Sequence, residues 1–283
     1  MIDRVPTHTC RMSHPSRLRT GHPYLDDGRR GDAVIAMAHR GGAGHPDLVG
    51  AENTLFAFRH AVSLGYRYLE TDVHTTSDGV LVAFHDDVLD RVTDARGPLR
   101  ELSAEQVSLA RIREQHPVPV MADLLEELPG ARFNIDLKSA EAVEPLARLL
   151  RATASESRVC IGSFSQRRLD AFRRATGGRV ATSASPQEVA AFVAAPSGRV
   201  ARLLTRGRVA ALQVPHRRGP VPVVTRELVR RAHSARAHVH VWTVDDADEM
   251  EELLDLGVDG LITDRTDVLR DVLVRRGAWE DPA

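Results

Sequence analysis

The feature that most constrains this chain is a repeat of eight short apolar runs, most of them followed by a stretch of helical periodicity. The runs lie at 34–38, 68–73, 132–137, 158–162, 179–182, 210–214, 238–243 and 260–262. The helical stretches lie at 54–64, 121–128, 140–153, 166–175, 186–194, 226–235, 247–256 and 266–274. Runs too short to be buried helices, alternating with amphipathic helices, read as parallel strands joined by crossovers. Eight such units predict an α/β chain closed into a (β/α)8 barrel, with an open doubly wound sheet as the structural alternative. A chain of 283 residues suits one barrel. We expect a flexible, polar lead-in over 1–32 and one barrel domain over 33–278, with 23–25 packing on the barrel's bottom face. The second unit departs from the pattern. Its link, from 74 to 120, holds a predicted short hairpin at 79–84 and a polar excursion near 94–102.

Composition narrows the function classes. The net charge is −1, which gives no basic surplus for a nucleic-acid partner. No apolar stretch approaches the roughly 20 residues of a membrane span, so no stable membrane insertion is expected. The first residues lack the apolar middle of a secretory signal, and the expected location is cytoplasmic. The two cysteines, Cys10 and Cys160, give no disulfide framework, and Cys160 sits in an apolar run as a small core residue.

In a barrel, chemistry belongs at the C-terminal ends of the strands. His39 and Arg40 directly follow the first run and precede two glycines, an arrangement that suits acid/base work beside an anion. Glu70 and Asp72 end the second run. Residues two apart on a strand share a face, so both carboxylates project together and call for a cation or proton between them. An oxygen-only donor set suits Mg²⁺ or Ca²⁺ better than zinc. His85 follows the predicted hairpin as a second acid/base candidate. Asp136 and Lys138 end the third run on one face. They read either as a third carboxylate with a phosphate-facing ammonium or as a plain ion pair. Trp242, near the end of the seventh run, reads either as a wall of a substrate pocket or as core, with His240 lower in the barrel. No G-x-S-x-G pattern offers a competing serine nucleophile.

Together these residues resemble the glycerophosphodiester phosphodiesterase family. The resemblance rests on HRG at 39–41, ENT at 52–54, ETD at 70–72, SDGVLVAFHDDVLDRVTD from Ser77, NIDLK at 134–138, VHVWTV at 239–244 and GVDGLITDR at 257–265. It implies a TIM-barrel hydrolase that cleaves a small-molecule glycerophosphodiester to glycerol phosphate and an alcohol, an activity of lipid and glycerol metabolism. By position it makes His39 and His85 the acid/base pair, Arg40 and Lys138 the phosphate contacts, and Glu70, Asp72 and Asp136 the ligands of one divalent cation (Mg²⁺, Ca²⁺ or Mn²⁺). Glu52 falls in the site region as support. Thr54 is expected to cap the first helix, Asn53 to pin its loop, and Asp264 to cap the last helix. The sequence departs from the family pattern in two places. Asp136 stands where the family usually has Glu, and the loop 42–51 is longer than expected, adding His45 and Asp47. The nucleophile is left open between water and a substrate hydroxyl. Two other readings stay open: a lysophospholipid-directed phospholipase D-type enzyme or lyase, which needs an apolar lip, and a non-catalytic phosphate-binding protein.

Overall fold

A computed structural model describes residues 18–27 and 34–279. Most of the expected lead-in, including Cys10, lies outside the described residues. Eight parallel strands form the barrel: β1 (Ile35–Ala38), β2 (Tyr68–Thr75), β3 (Arg132–Leu137), β4 (Val159–Gly162), β5 (Ala181–Thr182), β6 (Ala211–Pro215), β7 (His238–Trp242) and β8 (Gly260–Thr263). The ladder runs β5-β4-β3-β2-β1-β8-β7-β6. The remaining seam, β5 to β6, is narrow. It is a parallel bridge between Ser183 and Ala211, with hydrogen bonds from Ala184 N–H to the Ala211 carbonyl and from Ala210 N–H to the Thr182 carbonyl, both 2.9 Å. The open-sheet alternative is therefore set aside. One crossover is richer than its sequence suggested: a helix at Gly198–Leu204 follows the one at Pro186–Ala194, capped by the Ser197 hydroxyl.

Two apolar cores fix the barrel. The large one lies between sheet and helices, and the small one fills the barrel's lower interior with Met37, Tyr68, Cys160, Ala211 and Ile262. Tyr24 and Leu25 join the small core from the short helix Pro23–Asp26. Tyr68 donates its hydroxyl to the Tyr24 carbonyl at 2.9 Å, and the two rings meet edge-on at 5.2 Å. The bottom of the barrel is thus plugged as expected, which leaves polar chemistry to the top. Cys160 is fully buried there, and burial pushes its thiol up to about 12.

The long link after β2 has a core of its own. β2 turns back antiparallel onto Leu81–Ala83, and Val82, Phe84, Leu89, Leu99, Val107, Ile112 and Val118 pack into one cluster. This satellite core is what sets His85 against the barrel mouth.

Candidate active site

The site is built at the C-terminal ends of β1, β2 and β3. After β1 the chain makes a tight turn through His39, Arg40 and Gly41. Arg40 takes a left-handed conformation at φ 48° and Gly41 follows at φ 88°. A Cβ on Gly41 would lie 2.7 Å from the Ala57 Cβ, so glycine is required for the turn to pack on the helix Leu55–Ser63. The turn aims the Arg40 N–H at Glu70 Oε2, 3.2 Å away. Thr54 caps the helix Leu55–Ser63 through a bond from Ala57 N–H, as expected. Asn53 sits at φ 57° and ties its loop to β2: its amide donates to Asp72 Oδ2 at 3.2 Å and accepts from the Thr71 hydroxyl at 2.7 Å.

Glu70 and Asp72 are buried on β2, and the β2–β3 register sets Asp72 beside Asp136. Lys138 joins them, with its ammonium 2.9 Å from Asp72 Oδ1 and 2.9 Å from Asp136 Oδ2. The Arg40 guanidinium lies 3.3 Å from Asp72 and 3.1 Å from Glu52. Burial alone would raise the pKa of Asp72, but Lys138 and Arg40 outweigh it and hold the carboxyl below its usual range. Glu70 differs. Burial, with Asp72 adding to it, pushes its carboxyl up to about 7. A buried acid that resists ionisation beside another acid is short of positive charge. That deficit lies at Glu70, whereas Lys138 already neutralises Asp72 and Asp136; the all-oxygen donor chemistry of the three carboxylates is of the kind that suits a hard divalent cation.

Both histidines lean on an aspartate. His39 Nδ1 lies 2.9 Å from Asp264 Oδ1, so its N–H donates there, and its Nε2 lies 3.8 Å from Glu70 Oε2. Burial opposes a charge on His39, yet Glu70 and Asp264 outweigh it and raise its pKa. His85 Nδ1 lies 2.6 Å from Asp86 Oδ1. Asp86 is in turn bound by Arg91, whose Nε lies 2.6 Å from Oδ2. That bond, together with His85, holds the Asp86 carboxyl down to about 2. Arg91 also reaches Glu52 with two bonds of 2.8 and 2.7 Å. One chain of charges therefore runs His85–Asp86–Arg91–Glu52–Arg40–Asp72–Lys138–Asp136.

Asp264 was expected as a helix cap and is not one. The last helix begins at Thr266 with Arg265 at its N-cap, and the Asp264 carboxylate turns to His39 instead. The Asp245 carboxylate binds the Thr263 hydroxyl and the N–H groups of Asp264 and Arg265, pinning this corner. Asp86 and Arg91 lie inside the quoted 77–94 stretch but were not singled out. Trp242 is half-buried at the mouth, edge-on to the exposed Phe164 with ring centroids 5.9 Å apart. His240 lies fully buried below it, near Gln213, which donates to Asn134 at 2.8 Å. Among the described residues no helix is long and apolar enough to cross a membrane.

Comparisons with known proteins identify the family and the fold. The sequence profile of the glycerophosphoryl diester phosphodiesterase family matches residues 39–268. A protein of Mycobacterium tuberculosis named a probable glycerophosphodiester phosphodiesterase 2 is 42% identical over 262 residues, spanning 92% of this chain and 98% of its own. A glycerophosphodiester phosphodiesterase of Caldanaerobacter subterraneus is 27% identical, spanning 86% of this chain and 99% of its own. In fold, the chain matches an Oleispira antarctica phosphodiesterase solved with its product sn-glycerol-3-phosphate, at TM-score 0.71 and 21% identity over 86% of this chain and 97% of that one. The chain belongs to the glycerophosphoryl diester phosphodiesterase family and is a phosphoric diester hydrolase.

Proposed function

We propose that this chain hydrolyses glycerophosphodiesters to glycerol 3-phosphate and an alcohol, in a divalent-cation-dependent reaction with His39 and His85 as its acid/base pair. The observation that carries this is the matched pair of Nδ1–aspartate contacts, His39 on Asp264 and His85 on Asp86. Each fixes a tautomer whose Nε2 is free to move a proton. Glu70, Asp72 and Asp136 would hold one Mg²⁺, Ca²⁺ or Mn²⁺ ion, which supplies positive charge to the phosphate oxygens.

A phosphodiester is an anion, so the site must neutralise it, activate a nucleophile and protonate a leaving oxygen. Arg40 and Lys138 bring the fixed cations. Both are held by acids now, Arg40 by Glu52 and Asp72, and Lys138 by Asp72 and Asp136. Those contacts aim the two groups into one space, and Asp136 and Asp72 outweigh burial to raise the pKa of Lys138. His39, half-buried beside two acids that favour imidazolium, suits proton donation to the leaving alcohol. His85 is one-third exposed and suits taking a proton from the nucleophile. Glu52 and Arg91 link the two halves of the site and hold Arg40 in place.

A second reading draws on the mouth itself. Phe164 is exposed against Trp242, and Val221 is exposed on the hairpin after β6, where the lysophospholipid reading needs an apolar lip. One panel separates the two. Glycerophosphocholine, glycerophosphoethanolamine, glycerophosphoglycerol and a lysophospholipid are assayed with Mg²⁺, Ca²⁺ and Mn²⁺, reading glycerol 3-phosphate or lysophosphatidate. We expect glycerol 3-phosphate from the water-soluble diesters and loss of activity in EDTA. Faster cleavage of the lysophospholipid would favour the second reading, and full activity in EDTA would overturn metal dependence.

A further inference from the structure

The chemistry above leaves one group of ligating side chains unused. Among the described residues, His45, Asp47 and His60 each offer a ring nitrogen or carboxylate oxygen, and these atoms all lie within 4.8 Å of one another. His45 Nδ1 is 3.8 Å from Asp47 Oδ2, and His60 Nε2 is 3.9 Å from that same oxygen. The two rings lie 4.5 Å apart, centroid to centroid. His45 and Asp47 belong to the long 42–51 loop, and His60 to the helix Leu55–Ser63.

Both rings are set up to ligate. His45 Nδ1 accepts a bond from the Asp47 N–H at 3.2 Å, so it carries a lone pair rather than a proton, and an ion taken there would replace that bond. His60 Nδ1 is buried with no hydrogen-bond partner, so the ring loses no bond if Nε2 turns to an ion. Bonds of about 2.0–2.2 Å to a tetrahedral ion place ligand atoms about 3.3–3.5 Å apart. The two spacings to Asp47 Oδ2, 3.8 and 3.9 Å, exceed this by about half an ångström, and the Asp47 side chain, 74% exposed, has room to close them. Two imidazoles and one carboxylate are the donors of a zinc-class ion. The all-oxygen set at the barrel mouth suits a hard cation instead.

We propose that His45, Asp47 and His60 form a second metal site, for Zn²⁺ or a similar transition-metal cation, that ties the 42–51 loop to the helix Leu55–Ser63. The consequence reaches the catalytic corner. Gly44 N–H donates to the Asp264 carbonyl at 3.0 Å, and a Cβ on Gly44 would fall 2.9 Å from the Asp264 Cβ. Pinning this loop steadies the residue on which His39 leans.

The test is a titration of chelator-stripped protein with Co²⁺ and Zn²⁺ in excess Mg²⁺, read by calorimetry, visible absorption of the cobalt form, and Tm. We expect tight binding of a single equivalent and a Tm rise of about 5 °C at saturating Zn²⁺. The signal should persist in Asp72→Asn and weaken at least about tenfold in both His45→Gln and His60→Gln. Far-UV circular dichroism checks that each variant folds; should His60→Gln fail, His45→Gln on the loop carries the test. Binding retained in both histidine variants, as His8, Cys10 and His14 near the N-terminus could produce, would overturn the proposal. So would loss of binding only in Asp72→Asn, or no binding to the wild type.

Discussion

The His39 ring, 18% exposed, is held between Glu70 and Asp264, acids brought from β2 and from the loop after β8, whereas the His85 ring is one-third exposed and leans on Asp86, its own neighbour in the chain. The first surrounding is assembled across 225 positions of sequence and depends on barrel closure, in which Ala38 pairs with Leu69 on one side and Thr263 on the other. The second is assembled locally, by a hairpin and a satellite core, and is tied to the barrel through Arg91 and Glu52. One side chain type thus meets two electrostatic settings. Pairs of titratable groups whose surroundings differ in this way are a common source of acid and base roles in one site.

The sharpest way to break this comparison is to change the leaving group. If His39 protonates the departing alcohol, His39→Ala should lose far less on the p-nitrophenyl ester of glycerol 3-phosphate than on glycerophosphocholine, by about 100-fold. His85→Ala should lose about equally on both. Equal losses for His39→Ala, or rescue of His85→Ala, would reverse the roles.

The next effect concerns the supporting aspartates. Asp264→Asn should lower kcat by about 10–100-fold, since it removes the acceptor that orients His39. Asp86→Asn should cost less, because Arg91 and the local turn still hold the loop. Steady-state kinetics on one substrate compares the two, and a larger loss for Asp86→Asn would invert the account.

The His39 pocket also carries a stability signature. The Glu70 carboxyl rises from 4.5 to about 7 in the folded chain, so ionisation there costs folding free energy. Its contribution is fully present below pH 4.5 and is lost as pH rises toward about 7. With chelator present, the wild type should lose up to about 3 kcal/mol across that window relative to Glu70→Gln. Saturating Mg²⁺ should abolish the difference. Urea unfolding at several pH values reads it, and parallel curves for the two chelated proteins would refute the assignment.

The smallest effect is expected at Arg91, which is half-exposed. Arg91→Gln should lower kcat only about three- to tenfold, by loosening Asp86 and Glu52 together. A loss as large as that of Asp264→Asn would make the two pockets one unit.

Much of this was legible in the sequence, and the exceptions have physical causes. Strand periodicity placed Glu70, Asp72, Asp136 and Lys138 correctly at the tops of β2 and β3, because alternation on a strand fixes which side chains share a face. Local chemistry named Thr54 as a cap and Asn53 as a pin. Asp264 was misread because an aspartate before a helix looks like a cap whichever way its carboxylate turns. Its true partner, His39, is adjacent only once β8 pairs with β1. The Arg91–Glu52 contact escaped for the same reason, since it joins two loops. The extra helix at Gly198–Leu204 was hidden in an Arg-rich stretch with weak apolar contrast.

The central claim is that His39 and His85 move the protons of the hydrolysis. Its most direct measurement is kcat for glycerophosphocholine at saturating Mg²⁺ in wild type, His39→Ala and His85→Ala. The account predicts that each variant loses about 10²–10⁴-fold in kcat with KM little changed. A variant that keeps kcat within about threefold of wild type would contradict it.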